Sequence, residues 1–400
     1  MEKKDKSNEK FSGGMLGLLI GDILAFPLGM LDYERRKGFF PVNSLIEPQD
    51  FEKQLEEEAN YNSNLKNRVE NWFPAGYYSF YGQQALLILD SIFQMKDIDI
   101  EDISQKLVKY SYPRDRISPL GIFRGYNRQF YDSVQNIANG MPLKLCGVTN
   151  SIGDAPFKLI PIGMFKGFET QPIRDRSVDI TLLTNRDIQA VASSAAIAIT
   201  VAQTVNKSFF NVDEELKRII DFTRSVENYA MDRFGDFFQN GNQNRNRVSN
   251  CLNELYRLKN ESVDEGIRYF KNQAHQNNQK YNSSLVTTGA ALLIFIKNVG
   301  SFEQAIKCAI EQDVDIQIVT PIVGALSGSL HGTNKLPHHW KNLVKYRKEI
   351  YQKIDYIKTE DTEKPGITNY YIREIELSSD QQKTKDNILN KIDEKLPVIA

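Results

Sequence analysis

Two aspartates, Asp313 and Asp315, stand either side of a single valine, just before the apolar run 316–330. Carboxylates so placed could bind Mg²⁺, which prefers oxygen ligands. They could equally be ordinary acids at a helix N-terminus, where the helix dipole favours negative charge. A third acid, Asp22, lies inside the apolar run 13–31. It either orients the backbone of this same run or acts as a local cap.

Apolar residues recur at a helical spacing through most of the chain, and strand-like alternation is scarce. The sequence therefore predicts an all-α fold, a compact multi-helix domain with a central set of apolar helices. Runs 188–204 and 318–331 are apolar nearly all round and rich in Ala, Gly and Ser, so we expect them at the centre. The clearest predicted helices are 13–25, 83–96, 188–204, 285–298, 302–311 and 318–331.

Changes in polarity predict how the chain is organised. Residues 1–12 are predicted to form a polar tail, and residues 13–350 the main domain. Within that domain, 33–72 is predicted to be a polar surface insertion. The Lys- and Glu-rich residues 351–400 are predicted to be an appendage, in which 366–377 has the composition of a lone edge strand.

The composition excludes few classes of protein, but it limits the kinds of partner that the chain is expected to bind. The chain has 400 residues, 41% hydrophobic and 25% charged, with a net charge of −1. Nothing in these totals indicates the basic surface that nucleic acid or an acidic membrane would need, so neither is predicted as a partner. Cys146, Cys251 and Cys308 are too few and too scattered for a disulfide framework or a zinc cluster, and we expect buried or free thiols.

One segment, 13–31, is about as long and apolar as a membrane span. Asp22, Pro27 and five glycines interrupt it, and a charge in mid-membrane is costly. A buried helix followed by a loop is therefore the favoured interpretation. The polar N-terminus also lacks the pattern of a secretory signal, so a cytoplasmic location is expected.

Six further stretches form an ordered series. They are "GGMLGLLIGDILAFPLG" (13–29), "YSFYGQQALLILDSI" (78–92), "FRGYNRQFYDSVQNIANG" (123–140), "IGDAPFKLIPIGMF" (152–165), "LLTNRDIQAVASSAAIAITVA" (182–202) and "AIEQDVDIQIVTPIVGALSGSLHGTNKLPHHW" (309–340). In this order they resemble the motifs of the ADP-ribosylglycohydrolases. The order is far more specific than any single motif, and the resemblance spans residues 13–345.

The resemblance implies an all-α fold with two metal ions, usually magnesium, held between the second and last motifs. Those ions hold the ribose of a bound ADP-ribose, and the family's reaction is metal-assisted hydrolysis at the ribose C1 position. Such chemistry needs hard oxygen ligands around the cations.

The second motif departs from this pattern at the positions that matter most. The helix that follows fixes the alignment, which places Ser79 on the family's first Thr and Phe80 and Tyr81 on its two Asp ligands. An aromatic ring cannot ligate a hard cation, and a phenol with a pKa near 10 is a poor ligand. Both carboxylates of this motif are therefore lost.

The last motif is also altered. Asp315 keeps the first acid, whereas Gln317 and Ile318 replace the second Asp and the Thr, and Asp313 falls on a glycine. In the first motif, Gly29 stands where many members carry Glu. These remnants would give two magnesium ions too little compensating charge, so no bound metal is predicted, with a magnesium site as the alternative.

The positions that contact the ligand in the family are altered in part. Asp154 would repel a diphosphate, and Asn185 replaces a His. A turn between helices explains the retained Arg-Gly-Tyr stretch equally well. The predicted ligand-binding residues are Arg124, Gly125, Tyr126, Gly153, Asp154 and Asn185.

Three functions remain open from the sequence. The first is a pseudoenzyme that binds a protein partner or an ADP-ribose-like small molecule in the old cleft. The second is an active ADP-ribosyl hydrolase with a rearranged metal site. The third is an interaction scaffold that uses residues 351–400 and 33–72, with the cleft irrelevant.

Overall fold

The computed structural model of the protein describes residues 2–30, 33, 69, 74, 76–112, 121–149, 151–167, 169–207, 209–238, 241–359 and 363–395. Within these ranges the chain is helical and forms no strand. Two isolated β-bridges join Val148 to Asn185 and Ile152 to Ser283. The predicted insertion 33–72 lies outside the described residues, apart from Tyr33 and Val69.

The helices of the described ranges are numbered in chain order. They are α1 Glu2–Ala25, α2 Phe80–Met95, α3 Ile100–Ser111, α4 Arg128–Ala138, α5 Pro156–Lys166, α6 Thr170–Leu182, α7 Ile188–Asn206, α8 Val212–Phe234, α9 Gly241–Asn244, α10 Arg247–Asn253, α11 Leu255–Leu258, α12 Val263–His275, α13 Ser284–Lys297, α14 Phe302–Ile310, α15 Ile316–His331, α16 His338–Leu343, α17 Arg347–Lys358 and α18 Tyr370–Lys395. Short 3₁₀ turns occupy Pro27–Met30, Leu143–Leu145, Gly235–Phe237 and Thr333–Lys335.

The all-α prediction is confirmed, and each of the six clearest predicted helices is present. Five of them agree with α2, α7, α13, α14 and α15 within three residues at either end. The sixth, predicted for 13–25, begins at Glu2 instead. The stretch predicted as a polar tail is therefore helical from its second residue, and its apolar Phe11 is buried.

The predicted edge strand at 366–377 is wrong, because Tyr370 begins the long helix α18. Tyr370, Glu374, Leu377 and Gln381 are all buried, and their spacing of three to four residues places them on one side of a helix. The aromatic and branched residues of this stretch favoured a strand in isolation, but packing against the main domain favours the helix.

Helices α1 and α15 pack together in an antiparallel pair through glycines. A Cβ on Gly17 would lie 2.1 Å from the carbonyl oxygen of Gly324, and one on Gly13 would lie 2.4 Å from that of Gly328. At the other end, a Cβ on Gly21 would lie 2.6 Å from the carbonyl oxygen of Thr320. The two backbones are therefore in direct contact, which only residues without a side chain allow.

Helix α7 occupies the centre, as predicted. All its residues from Ile188 to Val205 are buried, and it packs on α5 where a Cβ on Gly163 would lie 2.2 Å from the carbonyl oxygen of Ala198. Ser7–Gly29 and Ile188–Asn206 are long and apolar enough to cross a membrane. In this fold both are enclosed by other helices.

The C-terminal helices α17 and α18 pack on α2 and α3. Lys353 of α17 donates to Asp90 of α2 at 2.6 Å, and both side chains are buried. On α18, the Tyr371 ring stacks on Tyr110 of α3 with 4.9 Å between ring centroids. The segment predicted as an appendage is thus joined to the main domain by buried contacts.

The glycine contact predicts an unusual response to Gly17→Ala. In an ordinary helix this substitution stabilises, by about 0.5–1 kcal/mol. Here the new methyl group would meet the Gly324 carbonyl, so we expect a loss of about 1–3 kcal/mol in the free energy of unfolding. Urea denaturation of the two proteins measures the difference.

Gly300→Ala is the matched control, since a Cβ at Gly300 meets nothing within 4 Å. It should leave the unfolding midpoint nearly unchanged. Equal midpoints for Gly17→Ala and Gly300→Ala would contradict the close approach of the two helices.

Candidate functional site

Four helix N-termini meet at one cleft. Ser79 caps α2 and Asp187 caps α7 with their side chains, whereas Asp154 and Asp315 stand in the turns that lead into α5 and α15. Side-chain oxygens at such positions accept hydrogen bonds from the free N–H groups of the first turn. The polar residues that these turns require are thereby concentrated in one region.

Asp22, near the end of α1, ties that helix to the start of α2. Its carboxylate accepts hydrogen bonds from the Ser79 backbone N–H at 2.9 Å, the Ser79 hydroxyl at 2.8 Å and the Gly82 N–H at 3.0 Å. Complete burial raises the pKa of Asp22 to about 7, although these hydrogen bonds oppose the rise. Both roles predicted from the sequence are local to the first motif, whereas in the structure Asp22 orients the start of the second motif.

Phe80 and Tyr81 fill the floor of the cleft. Phe80 is 1% exposed and Tyr81 is 7% exposed. Their ring centroids are 4.2 Å apart, and Tyr81 also packs on Phe157 of α5 at 4.8 Å. Aromatic pairs at these distances stabilise a core beyond their buried area. The rings therefore occupy the floor and do not line an open cavity.

The Tyr81 hydroxyl lies in a markedly acidic environment. Burial raises its pKa well above the usual value, and the negative charges of Asp315, Asp154 and Asp22 raise it further. The phenol is consequently neutral at any physiological pH. Acids from α1, α5 and α15 thus converge on a residue that carries no charge.

The last motif contributes few polar contacts to this floor. Ile318 is fully buried, and the Gln317 amide donates to the Phe26 carbonyl at 3.0 Å. A Cβ on Gly29 would lie 2.3 Å from the Gln317 side chain, so Gln317 occupies the space that Gly29 leaves. Asp313 forms an ion pair with Lys271 at 2.5 Å.

The residues present do not fit a pair of magnesium ions. Such ions require near-octahedral oxygen coordination. Phe80, Tyr81 and Ile318 offer no suitable oxygen, and the Gln317 amide donates to a backbone carbonyl. Among the residues that the structure describes, no three His, Cys, Asp or Glu side chains come together as a metal site would require.

Asp154 holds the opposite wall together. Its carboxylate accepts from the Asn127 amide at 2.9 Å and from the Asn185 amide at 2.9 Å. Asn185 in turn accepts from the Thr184 hydroxyl at 2.6 Å. Asp154 is 3% exposed, so this network stabilises a buried carboxylate and joins the starts of α4, α5 and α7.

The other predicted ligand residues lie on either side of this network. Gly153 donates its N–H to the Asn282 carbonyl at 2.9 Å, so that group is not free for a phosphate. Gly125 is exposed with φ of +66°, and Tyr126 beside it is half-buried. Arg124 is buried with its guanidinium directed at α18, where it forms an ion pair with Glu374.

The sequence analysis missed Lys158, one turn after Asp154 on α5. The side chain is 1% exposed and donates to the Gln84 amide oxygen at 3.0 Å. Burial lowers its pKa to about 8, and the charge of Asp154 partly opposes that fall. A lone lysine within the apolar run "PFKLIPIGMF" is the signal that would have found it.

An open cavity of about 490 Å³ lies beside Asp315. This volume is in the range of small-molecule sites. Lys271 and Lys280 contribute positive charge, and Asp313 and Asp315 contribute negative charge, with Lys271 paired to Asp313. Tyr281 presents a ring that is 56% exposed. The cavity thus combines charges of both signs with an accessible aromatic surface.

Comparison with known proteins gives a consistent assignment. The family model described as ADP-ribosylglycohydrolase matches residues 3–366. An uncharacterized protein of Archaeoglobus fulgidus is 21% identical over 343 residues, covering 85% of this chain and 92% of the relative. A solved structure described as an ADP-ribosylglycohydrolase-related protein complex superposes with a TM-score of 0.54 at 14% identity, covering 88% of this chain and 98% of that one. At that identity the superposition shows the fold alone.

The buried carboxyl of Asp22 predicts a pH effect on stability. Its pKa is about 7 in the folded protein and near 3.8 when unfolded, so the unfolded chain loses this proton first as the pH rises. Asp22 therefore lowers the free energy of unfolding progressively as the pH rises from 4 to 7, and its effect is constant above pH 7. Between pH 5 and 8 the free energy of unfolding falls by about 3 kcal/mol through this group.

Asp22→Asn should abolish this part of the pH dependence, because an amide retains the acceptor and does not titrate. Asp187, with a pKa of about 6, and Glu227, with a pKa of about 7, act in the same direction and remain in both proteins. Urea denaturation of both proteins at pH 5 and pH 8 isolates the Asp22 contribution. Parallel changes in the two proteins would show that Asp22 does not titrate in this range.

Proposed function

Because the chain belongs to the ADP-ribosylglycohydrolase family, we propose that it binds an ADP-ribose-like small molecule in the family's cleft without two-metal hydrolysis. The observation that carries this proposal is the position of Tyr81. Its buried phenol takes the place of a ligand carboxylate and lies within electrostatic reach of Asp22, Asp154 and Asp315.

The chemistry of the floor supports the loss of hydrolysis. A hydrolase of this family would need cations to polarise the scissile bond and activate water. At the floor, the charges of three acids act on a neutral ring, and the buried Lys158 donates to Gln84. Among the described residues of the floor, Phe80, Tyr81 and Ile318 offer no ligand for the cations that this reaction needs.

The cavity beside Asp315 supports retained binding. Lys280 suits the negative charge of a diphosphate, and Lys271 would exchange its ion pair with Asp313 for the ligand. The exposed ring of Tyr281 suits stacking on a base. The free N–H groups at the start of α15 add a partial positive charge on the same side. A small anionic ligand with an aromatic group matches these features better than a protein surface does.

A thermal-shift matrix tests the proposal, with ADP-ribose, Mg²⁺, both together and neither. We expect ADP-ribose to raise the unfolding temperature, since a ligand at 100 times its Kd stabilises the native state by about 2.7 kcal/mol. Mg²⁺ should add nothing to that rise. A rise that requires Mg²⁺, with release of ADP-ribose that Asp315→Ala abolishes, would instead establish a rearranged hydrolase.

Tyr281→Ala locates the ligand. The substitution should leave the unfolding temperature of the ligand-free protein unchanged, because the ring is 56% exposed. It should reduce the rise in unfolding temperature that ADP-ribose causes. Phe209→Ala is the matched control, an aromatic that is 77% exposed and does not line the cavity. If neither ADP-ribose nor Mg²⁺ changes the unfolding temperature of the wild-type protein, the proposal of small-molecule binding is wrong. A protein partner then becomes the leading hypothesis.

A further inference from the structure

The helix α18 inserts a carboxylate into a site built by the main domain. Glu374 is 1% exposed and accepts hydrogen bonds from the Tyr78 hydroxyl at 2.5 Å and the Gln83 amide at 2.6 Å. The Arg124 guanidinium completes the site with an ion pair at 2.9 Å. A buried carboxylate with this many donors is fully compensated. Without it, the Tyr78 hydroxyl would lose its acceptor and Arg124 its ionic partner, whereas Gln83 would keep the Ile122 carbonyl, to which it donates at 2.6 Å.

All three donors come from the segments that frame the cleft. Tyr78 directly precedes Ser79, which caps α2, and Gln83 lies in the first turn of that helix. Arg124 belongs to the loop that leads into α4. The Glu374 carboxylate therefore fixes the position of this loop relative to the start of α2.

The same loop continues from Arg124 into the cleft. Its backbone is fixed at several points. The Arg124 N–H donates to the Gln83 amide oxygen at 2.8 Å, and the Phe80 N–H donates to the Arg124 carbonyl at 2.8 Å. The Gln83 amide also donates to the Ile122 carbonyl at 2.6 Å. Two residues further on, Asn127 donates to Asp154 at 2.9 Å. A continuous chain of polar contacts thus runs from Glu374 to the wall that Asp154 holds.

We propose that Glu374 is a positioning residue, which acts through Arg124 to fix the loop 121–127 at the cleft. The helix α18 is then a structural part of the binding site. Tyr78, Gln83 and Arg124 form a carboxylate receptor that this helix fills from within the same chain. Ligand binding in the cleft and docking of the Glu374 carboxylate stabilise each other, because coupling between two sites is reciprocal.

Hydrogen exchange in the full chain tests the positioning directly and does not depend on any ligand. In Glu374→Ala, the buried guanidinium loses its ionic partner and keeps only neutral acceptors, the Tyr78 carbonyl and the Ser378 hydroxyl. Backbone amides of 121–127 should therefore exchange at least about tenfold faster. Glu376→Ala is the matched control on the same helix, since Glu376 makes a surface ion pair with Arg373 at 3.3 Å. It should leave exchange in this loop unchanged.

Rescue by a free carboxylate distinguishes this site from general loss of stability. Formate should slow loop exchange in Glu374→Ala, because it fits the space left by the side chain and pairs with Arg124. It should have no such effect on the wild type or on Glu376→Ala. If Glu374→Ala does not fold, Glu374→Gln decides, since it keeps an acceptor but removes the charge and should show a smaller acceleration of the same amides.

Unchanged exchange at 121–127 in the folded Glu374 variants, or equal acceleration throughout the protein without formate rescue, would overturn the positioning role. The link to binding rests on the proposed function, and it predicts weaker ADP-ribose binding by Glu374→Ala than by Glu376→Ala, by about tenfold. Should the wild type bind no ADP-ribose, the proposed function fails while the exchange experiment still decides the role of Glu374.

Discussion

The direct backbone contact between α1 and α15 is the constraint on which the site depends. A methyl group on Gly17 would lie 2.1 Å from the Gly324 carbonyl, and the contact continues along both helices to Gly21 and Thr320. Because the pair is antiparallel, the end of α1 and the start of α15 reach the same region. Asp22 and Asp315 consequently meet α2 there, and the cleft is built around that junction.

Burial of ionisable groups then shapes the chemistry of the cleft. Asp22 accepts three hydrogen bonds, and Lys158 faces an amide oxygen and the charge of Asp154. In each case burial disfavours the charged form, which raises the pKa of the acid and lowers that of the lysine. These groups tolerate burial because neighbouring polar groups compensate them, and the same contacts fix the starts of α2 and α5.

The cleft has a filled floor, and an open cavity lies beside Asp315. The buried rings of Phe80 and Tyr81 form the floor, at positions where the resemblance to the family implies two carboxylate ligands. In the proposed function, hydrolysis is lost with the floor, whereas binding is retained by the walls. The walls here contain a paired Asp154, a loop fixed by Glu374 and a cavity with two lysines.

The sequence by itself determined the helical class, the positions of the apolar helices and the family, because each depends on local periodicity or on motif order. The prediction that two ligand carboxylates are replaced by Phe80 and Tyr81 also comes from the sequence, since the type of residue at a motif position is read directly. Whether Phe80 and Tyr81 fill or line the cleft depended on the packing of Phe157 and Phe130 against them, which only the tertiary structure supplies. The roles of Arg124 and Lys158 were decided the same way. The partner of Arg124, Glu374, is 250 residues away in the chain, and no local pattern in a single sequence pairs side chains at that separation.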